Sequence, residues 1–224
     1  RGLNHKGHIT IGVTSQFGLR MLTEIIPAYK KVFPQVTIEI TESNVPTLTR
    51  MILEEGIDCA VMALNCADAF AEEQVSLLRK EEVLFAVPAA HGYCLRNRTG
   101  IMTREELIHE FKDENFMLSK KGSTLRELAD RIFASAGFQP STMCETNSII
   151  ATRAMVAKGI GVTFIARSCV SDRENVAYYS LNPRMYRYNA LVRRKNLIQN
   201  EPERALFQHI RGYFERQDED GPAD

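Results

Sequence analysis

The sequence has no excess of charge of either sign: across 224 residues, 28 Lys and Arg stand against 28 Asp and Glu. Zero formal net charge excludes a nucleic-acid binder that works through bulk electrostatics. Apolar runs of about 18 residues are also missing, so no membrane-spanning helix is expected. The opening stretch, Arg1-Gly-Leu-Asn-His-Lys-Gly-His8, has neither an initiator methionine nor an apolar signal core. The chain therefore reads as a soluble piece of a longer protein. Cysteines are few: Cys59, Cys66, Cys94, Cys144 and Cys169 form no Cys-x-x-Cys pair and leave an odd one over. That is the usage of free thiols in a reducing compartment, and a cytoplasmic location is expected. Catalytic patterns are thin as well. His5, His8, His91, His109 and His209 make no His-Glu-x-x-His pair, and no Gly-x-Ser-x-Gly elbow occurs. No catalytic residue, metal or cofactor is expected. An enzyme reading rests only on Glu145, Lys120 and the histidines as scattered acid-base groups.

What is present is the material of a globular α/β chain. Hydrophobic residues make up 44% and charged residues 25%, and the length suits one large domain or two small ones. His8–Thr14 and Val36–Glu42 alternate with a strand's period of two, and an apolar helical spacing runs from Leu19 to Phe33 between them, interrupted by Pro27. A helix ending at Gly56 and the apolar run Ile57–Ala63 extend the order to βαβαβ. Val83–Pro88 and Asn115–Leu118 read as strands of a second unit, with a capping box at Thr103 to Glu106 opening a short helix. The clearest helix spans Leu125 to Ala136, with Thr124 and Glu127 as a capping box and Gly137 as its stop. Asn147 is expected to cap a helix through Lys158 that is apolar on nearly all sides and so should be buried. Gly159-Ile-Gly161 follows a helix and precedes the strand-like Ile160–Ala166, the reverse of the dinucleotide-binding order, and reads as a helix stop. Val176–Leu181 and Tyr188–Val192 complete the strands, and Leu206–Phe214 marks a last amphipathic helix before an acidic tail from Asp218.

Three polar segments fall where a strand's carboxyl end meets the next helix: Thr14-Ser15-Gln16, Ser119–Thr124 and Thr146-Asn147-Ser148. Ligands of open α/β sheets bind at such ends. Helix N-termini there offer unpaired N–H groups and about half a positive charge, to which Ser, Thr and Asn add short-range donors suited to a carboxylate or phosphate. Each such residue taken singly also serves as an ordinary N-cap. Cys144 and Cys169 are weighed as redox sensors and read more readily as small buried hydrophobes.

The order and spacing of several short motifs resemble one family. Gly7-His-Ile-Thr-Ile-Gly12, Leu22-Thr-Glu-Ile-Ile-Pro27, Phe33-Pro-Gln-Val36 and Leu53-Glu-Glu-Gly-Ile-Asp58, then Ala136-Gly-Phe-Gln-Pro140 and Met155-Val-Ala-Lys-Gly-Ile-Gly-Val162, are similar to the effector-binding domain of LysR-type transcriptional regulators. The resemblance spans about residues 8 to 214. It implies two Rossmann-like subdomains joined by crossing strands, the periplasmic-binding-protein type II architecture, with residues 8–84 plus 183–214 in one, 85–182 in the other and 215–224 as a flexible tail. It implies a small effector, an organic anion, in the inter-subdomain cleft, contacted by Thr14, Ser15, Gln16, Ser119, Asn147 and Ser148. It further implies a homodimer, with the helix from Leu19 to Phe33 as a candidate face, and DNA contact only through a winged helix-turn-helix absent from these residues. Ala166-Arg167 departs from the pattern, since family members commonly place a proline there. A solute-binding protein of a transport system is the alternative on the same architecture.

Overall fold

The computed structural model describes residues 7–14 and 16–219, without the side chains of Gln16, Asp218 and Glu219. Two compact units are present, one built from the residues up to Lys80 with those from Tyr188 onward, the other from Glu81–Arg187. The first begins with β1 (Gly7–Val13), α1 (Gln16–Val32), β2 (Val36–Glu42), α2 (Val45–Leu53) and β3 (Cys59–Leu64), the βαβαβ order read from the sequence. β1 pairs in parallel with β2, Ile9 opposite Ile38, and with β3, Val13 opposite Val61. Every residue of β3 is buried, as a parallel strand covered on both faces requires.

The continuous apolar run of β3 divides between those two faces. Cys59 and Val61 join Met21, Leu22 and Ile25 of α1 and the apolar stripe of a later helix. Ala60, Met62 and Leu64 join Leu48 and Ile52 of α2. Gly12 permits the close approach of α2 to β1, because a Cβ there would lie 2.7 Å from Leu48 Cδ2 and 3.3 Å from Ala60 Cβ. α1 passes through Pro27 as one helix. The proline removes the N–H that would bond the Thr23 carbonyl, but both residues are exposed, so the missing bond falls on the solvent side of the helix, where it costs least.

α2 stops differently from the reading at Gly56. Glu55 takes the left-handed position at φ 58°, with Glu55 N–H donating to Ile52 O at 3.1 Å and Gly56 N–H to Met51 O at 2.7 Å. These are the paired bonds of a Schellman motif, with a glutamate where glycine is favoured. Glu55→Gly is expected to stabilise the chain by about 0.5–1 kcal/mol, read as a raised denaturant midpoint at constant slope.

The remaining strands and helices are β4 (Val75–Pro88), α3 (Gly92–Arg96), β5 (Ile101–Thr103), α4 (Arg104–Phe111), β6 (Asn115–Leu118), α5 (Thr124–Ala136), β7 (Ser141–Glu145), α6 (Ile149–Ala157), β8 (Thr163–Ala166), β9 (Val176–Asn182), β10 (Met185–Arg193) and α7 (Glu201–Glu219). The chain passes between units within β4 and again within β10. In the first unit β10 lies antiparallel to β3, Ala190 opposite Met62, and α7 buries Leu206, Phe207, Ile210, Tyr213 and Phe214 in the cluster shared with α1. α7 continues to Glu219, through residues the sequence reads as tail. Residues 220–224 lie outside the described residues.

In the second unit β4 pairs antiparallel with β8 and β9, and β5 runs parallel to β9. β6 and β7 run parallel as a separate pair. The core is aromatic: Phe85 meets Phe111 edge-on with ring centroids 5.2 Å apart, and Phe116 meets Phe133 likewise at 5.2 Å. The capping box at Thr103 and Glu106 forms with both reciprocal bonds, at 3.0 and 3.1 Å.

The structure corrects three local expectations. α5 is capped by Ser123, whose Oγ accepts from Arg126 N–H at 3.1 Å, while Thr124 sits buried inside the helix. Asn147 does not cap α6. Ser148 does, accepting from Ala151 N–H at 3.2 Å, because the Asn147 Oδ1 is occupied elsewhere. Nor is α6 buried all round: only Thr152 and Val156 are buried, and Ile150 is 63% exposed. An apolar composition without periodicity could not show which side of this short helix meets the sheet.

Candidate functional site

Each polar segment named from the sequence lies at a strand-to-helix junction. β1 ends at Val13 and α1 starts at Gln16; β6 ends at Leu118 and α5 starts at Thr124; β7 ends at Glu145 and α6 starts at Ile149. In the first unit, Thr14 Oγ1 accepts from Ala63 N–H at 3.2 Å, tying the end of β1 to the end of β3. Ser15 lies outside the described residues, as does the side chain of Gln16. No acidic residue occupies the first turn of α1, so its N-terminal N–H groups keep their partial positive charge.

A residue the sequence reading passed over belongs to the same unit. Asn189 stands opposite Ala63 across β3 and β10 and is 5% exposed. Its Nδ2 has no hydrogen-bond partner among the described residues. A buried unpaired amide costs about 1–3 kcal/mol, and its signal was a lone polar residue within the apolar run Tyr188–Val192.

In the second unit the structure joins two of the segments. β6 and β7 end side by side, Leu118 opposite Glu145, and Thr146 N–H donates to Leu118 O at 3.0 Å. Lys120 N–H donates to Asn147 Oδ1 at 2.9 Å, so Asn147 links the loop before α5 to the loop before α6. Ser148 N–H donates to Thr146 Oγ1 at 3.1 Å. The α6 first turn carries no acidic residue, whereas α5 has Glu127 in its first turn. Ser119 is half-buried, and its hydroxyl has no partner among the described residues. Its carbonyl accepts from Arg126 Nη1 at 2.9 Å, a link the sequence did not suggest. Lys120 and Lys121 are exposed beside it. The cavity behind Ser119, lined by Leu118, Leu125 and Thr163, measures only about 10 Å³, room for about one water.

Among the described residues, the remaining carboxylate, histidine and thiol candidates are paired or packed apart from these loops or at their edge: His91 pairs with Glu114 at 2.6 Å and His8 with Glu39 at 2.7 Å. Glu145 lies 3.5 Å from the Arg126 guanidinium as an ion pair. All five cysteines are free. Burial, reinforced by Asp58, pushes the Cys59 thiol far above its ordinary value, and burial raises Cys94 as well. Cys144 and Cys169 are half-buried rather than buried as expected, and both pack against one apolar cluster around Leu84 and Ile165. Among the described residues, no group of three or more His, Cys, Asp or Glu is placed to hold a metal ion, and no helix is long and apolar enough to cross a membrane.

Comparison with known proteins gives this arrangement a family. The profile of the LysR substrate binding domain matches residues 4–215. The hydrogen peroxide-inducible genes activator of Pectobacterium carotovorum subsp. carotovorum is 25% identical over 224 residues, covering 96% of this chain and 71% of its own length. A probable RuBisCO transcriptional regulator of Trieres chinensis is 24% identical over 169 residues, 74% of this chain and 53% of the regulator. The chain thus spans about half the length of several curated relatives it matches. Among solved structures, the CcmR regulatory domain of Synechocystis PCC6803 in complex with 2-PG superposes with a TM-score of 0.76 at 12% identity, over 95% of this chain and 99% of that one. The BenM effector binding domain with benzoate gives 0.68 at 21% identity, over 97% and 96%. These neighbours share the type II periplasmic-binding fold, the α/β architecture expected from the sequence, and the relatives named are regulators of transcription rather than enzymes. The chain belongs to the LysR substrate-binding domain family.

Proposed function

We propose that this chain is the effector-sensing part of a LysR-type transcriptional regulator, in which a small organic anion binds at the strand ends and biases DNA contact made by a helix-turn-helix outside this segment. The observation that carries the reading is the Asn147–Lys120 hydrogen bond, which joins two strand-end loops beside the unpartnered hydroxyl of Ser119. Unpaired N–H groups at helix starts and nearby hydroxyls stabilise an anion without burying a side-chain cation. Thr14, Ser15 and Gln16 from the first unit, and Ser119, Asn147 and Ser148 from the second, are the residues assigned to this role. Relatives solved with benzoate and shikimate hold carboxylates, which agrees with the chemistry of these donors. Signalling proceeds as a shift between conformations of different effector affinity. A homodimer is part of the same proposal, with the outer side of α1 as its face, because the inner residues Met21, Leu22, Ile25 and Tyr29 are committed to the core.

A thermal-shift screen against benzoate, shikimate, 2-PG and other small carboxylates and phosphates tests this reading. A ligand at about 100 times its Kd stabilises by about 2.7 kcal/mol, a rise of roughly 5–10 °C for a chain of this size. For a hit, Ser119→Ala and Thr14→Val are each expected to weaken binding by about 1 kcal/mol, roughly fivefold, while the fold persists. A hit of unchanged affinity in both variants overturns the assignment of the strand ends.

A further inference from the structure

On the far side of Arg126 from Ser119, the second unit holds an open groove of about 500 Å³ between Lys121, α5, the turn that follows it and the start of β7. That volume lies within the range of small-molecule sites. Arg126, 9% exposed, lines it together with Asp130, one helical turn further along α5. Arg126 Nε donates to Asp130 Oδ1 at 2.9 Å, and Nη1 is held by the Ser119 carbonyl at 2.9 Å with Glu145 at 3.5 Å. The guanidinium is therefore held in place on one side, while Nη2 and the Asp130 Oδ2 have no protein partner among the described residues. The exposed Lys121 lies on the same groove. Its apolar wall is Phe138, half-buried and packed edge-on against Phe133 with ring centroids 5.4 Å apart, with Pro140 beside it. Gly137, at φ 70°, turns the chain so that Phe138 N–H bonds back to Phe133 O at 3.3 Å, which fixes the wall.

Cation, anion and aromatic surface thus meet in one groove, and each restricts the ligand. A simple carboxylate would leave its apolar end opposed to Asp130, and a simple amine would face two cations. We propose that the groove binds an α-amino acid with an aromatic or bulky aliphatic side chain. Its carboxylate meets Arg126 Nη2 and Lys121, its ammonium meets Asp130 Oδ2, and its side chain lies on Phe138 and Pro140. The free Nη2 of the guanidinium supplies a charge-assisted donor for the carboxylate, and the bonds that already hold the guanidinium reduce the ordering cost of binding.

The test is a titration of the ¹⁵N-labelled chain with L-phenylalanine, 3-phenylpropionate and 2-phenylethylamine. The expected result is shifts at the amides of Ala134, Gly137, Phe138 and Thr142 with phenylalanine, and at least tenfold weaker binding of the two analogues that each lack one charge. Asp130→Asn is expected to weaken phenylalanine at least tenfold and leave 3-phenylpropionate unchanged. Ala134→Leu, on the exposed side of α5, fills the groove and abolishes the shifts without lowering the melting midpoint. Equal binding of phenylalanine and 3-phenylpropionate overturns the proposal, as do shifts confined to the strand-end loops or no shifts at all. None of these outcomes depends on the strand-end effector reading, which Ser119→Ala tests separately.

Discussion

Replacing Gly161 by alanine is expected to destabilise the second unit by about 3 kcal/mol, a fall of roughly 10 °C in melting midpoint. A Cβ at this position would lie 2.3 Å from the Asn115 carbonyl oxygen and 3.0 Å from its carbon, with Met117 Sδ at 2.9 Å. The methionine can move aside. The backbone cannot, because Val162 N–H donates to Asn115 O at 2.9 Å and Met117 N–H to Val162 O at 3.0 Å. Separating the segments breaks those bonds and shifts β6, which ends at Leu118 beside Ser119. Gly159→Ala provides the contrast. Gly159 has φ 76°, and a Cβ there would meet nothing within 4 Å, so its cost is the conformational penalty of about 1–2 kcal/mol. Chemical denaturation of both variants separates steric contact from backbone preference. Equal losses would show that β6 can slide away from Val162 at little cost.

Arg187→Met is expected to cost about 3–5 kcal/mol, although its chemistry is opposite to that of the glycine variant. Glu81 and Arg187 are the first and last residues of the second unit. Arg187 Nε lies 3.4 Å from Glu81 Oε1, and their side chains are only 12% and 4% exposed. Ser168 N–H donates to the other Glu81 oxygen at 3.2 Å. Removing the guanidinium leaves a carboxylate away from water with part of its pairing gone, and that desolvation is the source of the loss. Adding Glu81→Gln to Arg187→Met removes the buried negative charge that Arg187 balances and is expected to restore at least half of the lost stability. A double variant as unstable as the single one would locate the loss in packing of the arginine stem instead.

Local chemistry explains which features could be read in advance. The alternation of β1 and β2, the continuous apolar run of β3, the capping box at Thr103 and the stop at Gly137 each depend on neighbours in sequence. β7, in contrast, is mostly exposed and has no alternation to read; it is a strand because β6 lies beside it. The middle of β4 carries Arg79, Lys80, Glu81 and Glu82, which look like a solvated loop until partners such as Arg187 and Arg167 neutralise the buried carboxylates. The family profile and the solved relatives agree with the motif order noted in the sequence.

The candidate site divides along the same line. Sequence by itself determined that Ser, Thr and Asn cluster at three strand-to-helix junctions, because helix starts select such residues locally. Only tertiary structure decided what each does there. Ser148 rather than Asn147 caps α6, since the Asn147 carbonyl oxygen is taken by Lys120 from another loop. The buried Asn189 and the fixed guanidinium of Arg126 likewise acquire their meaning from β3 and from Ser119, residues distant in the chain. Periodicity and capping are short-range, so a sequence displays them; hydrogen-bond pairing across tens of residues is settled by which strands become neighbours, and folding alone provides that.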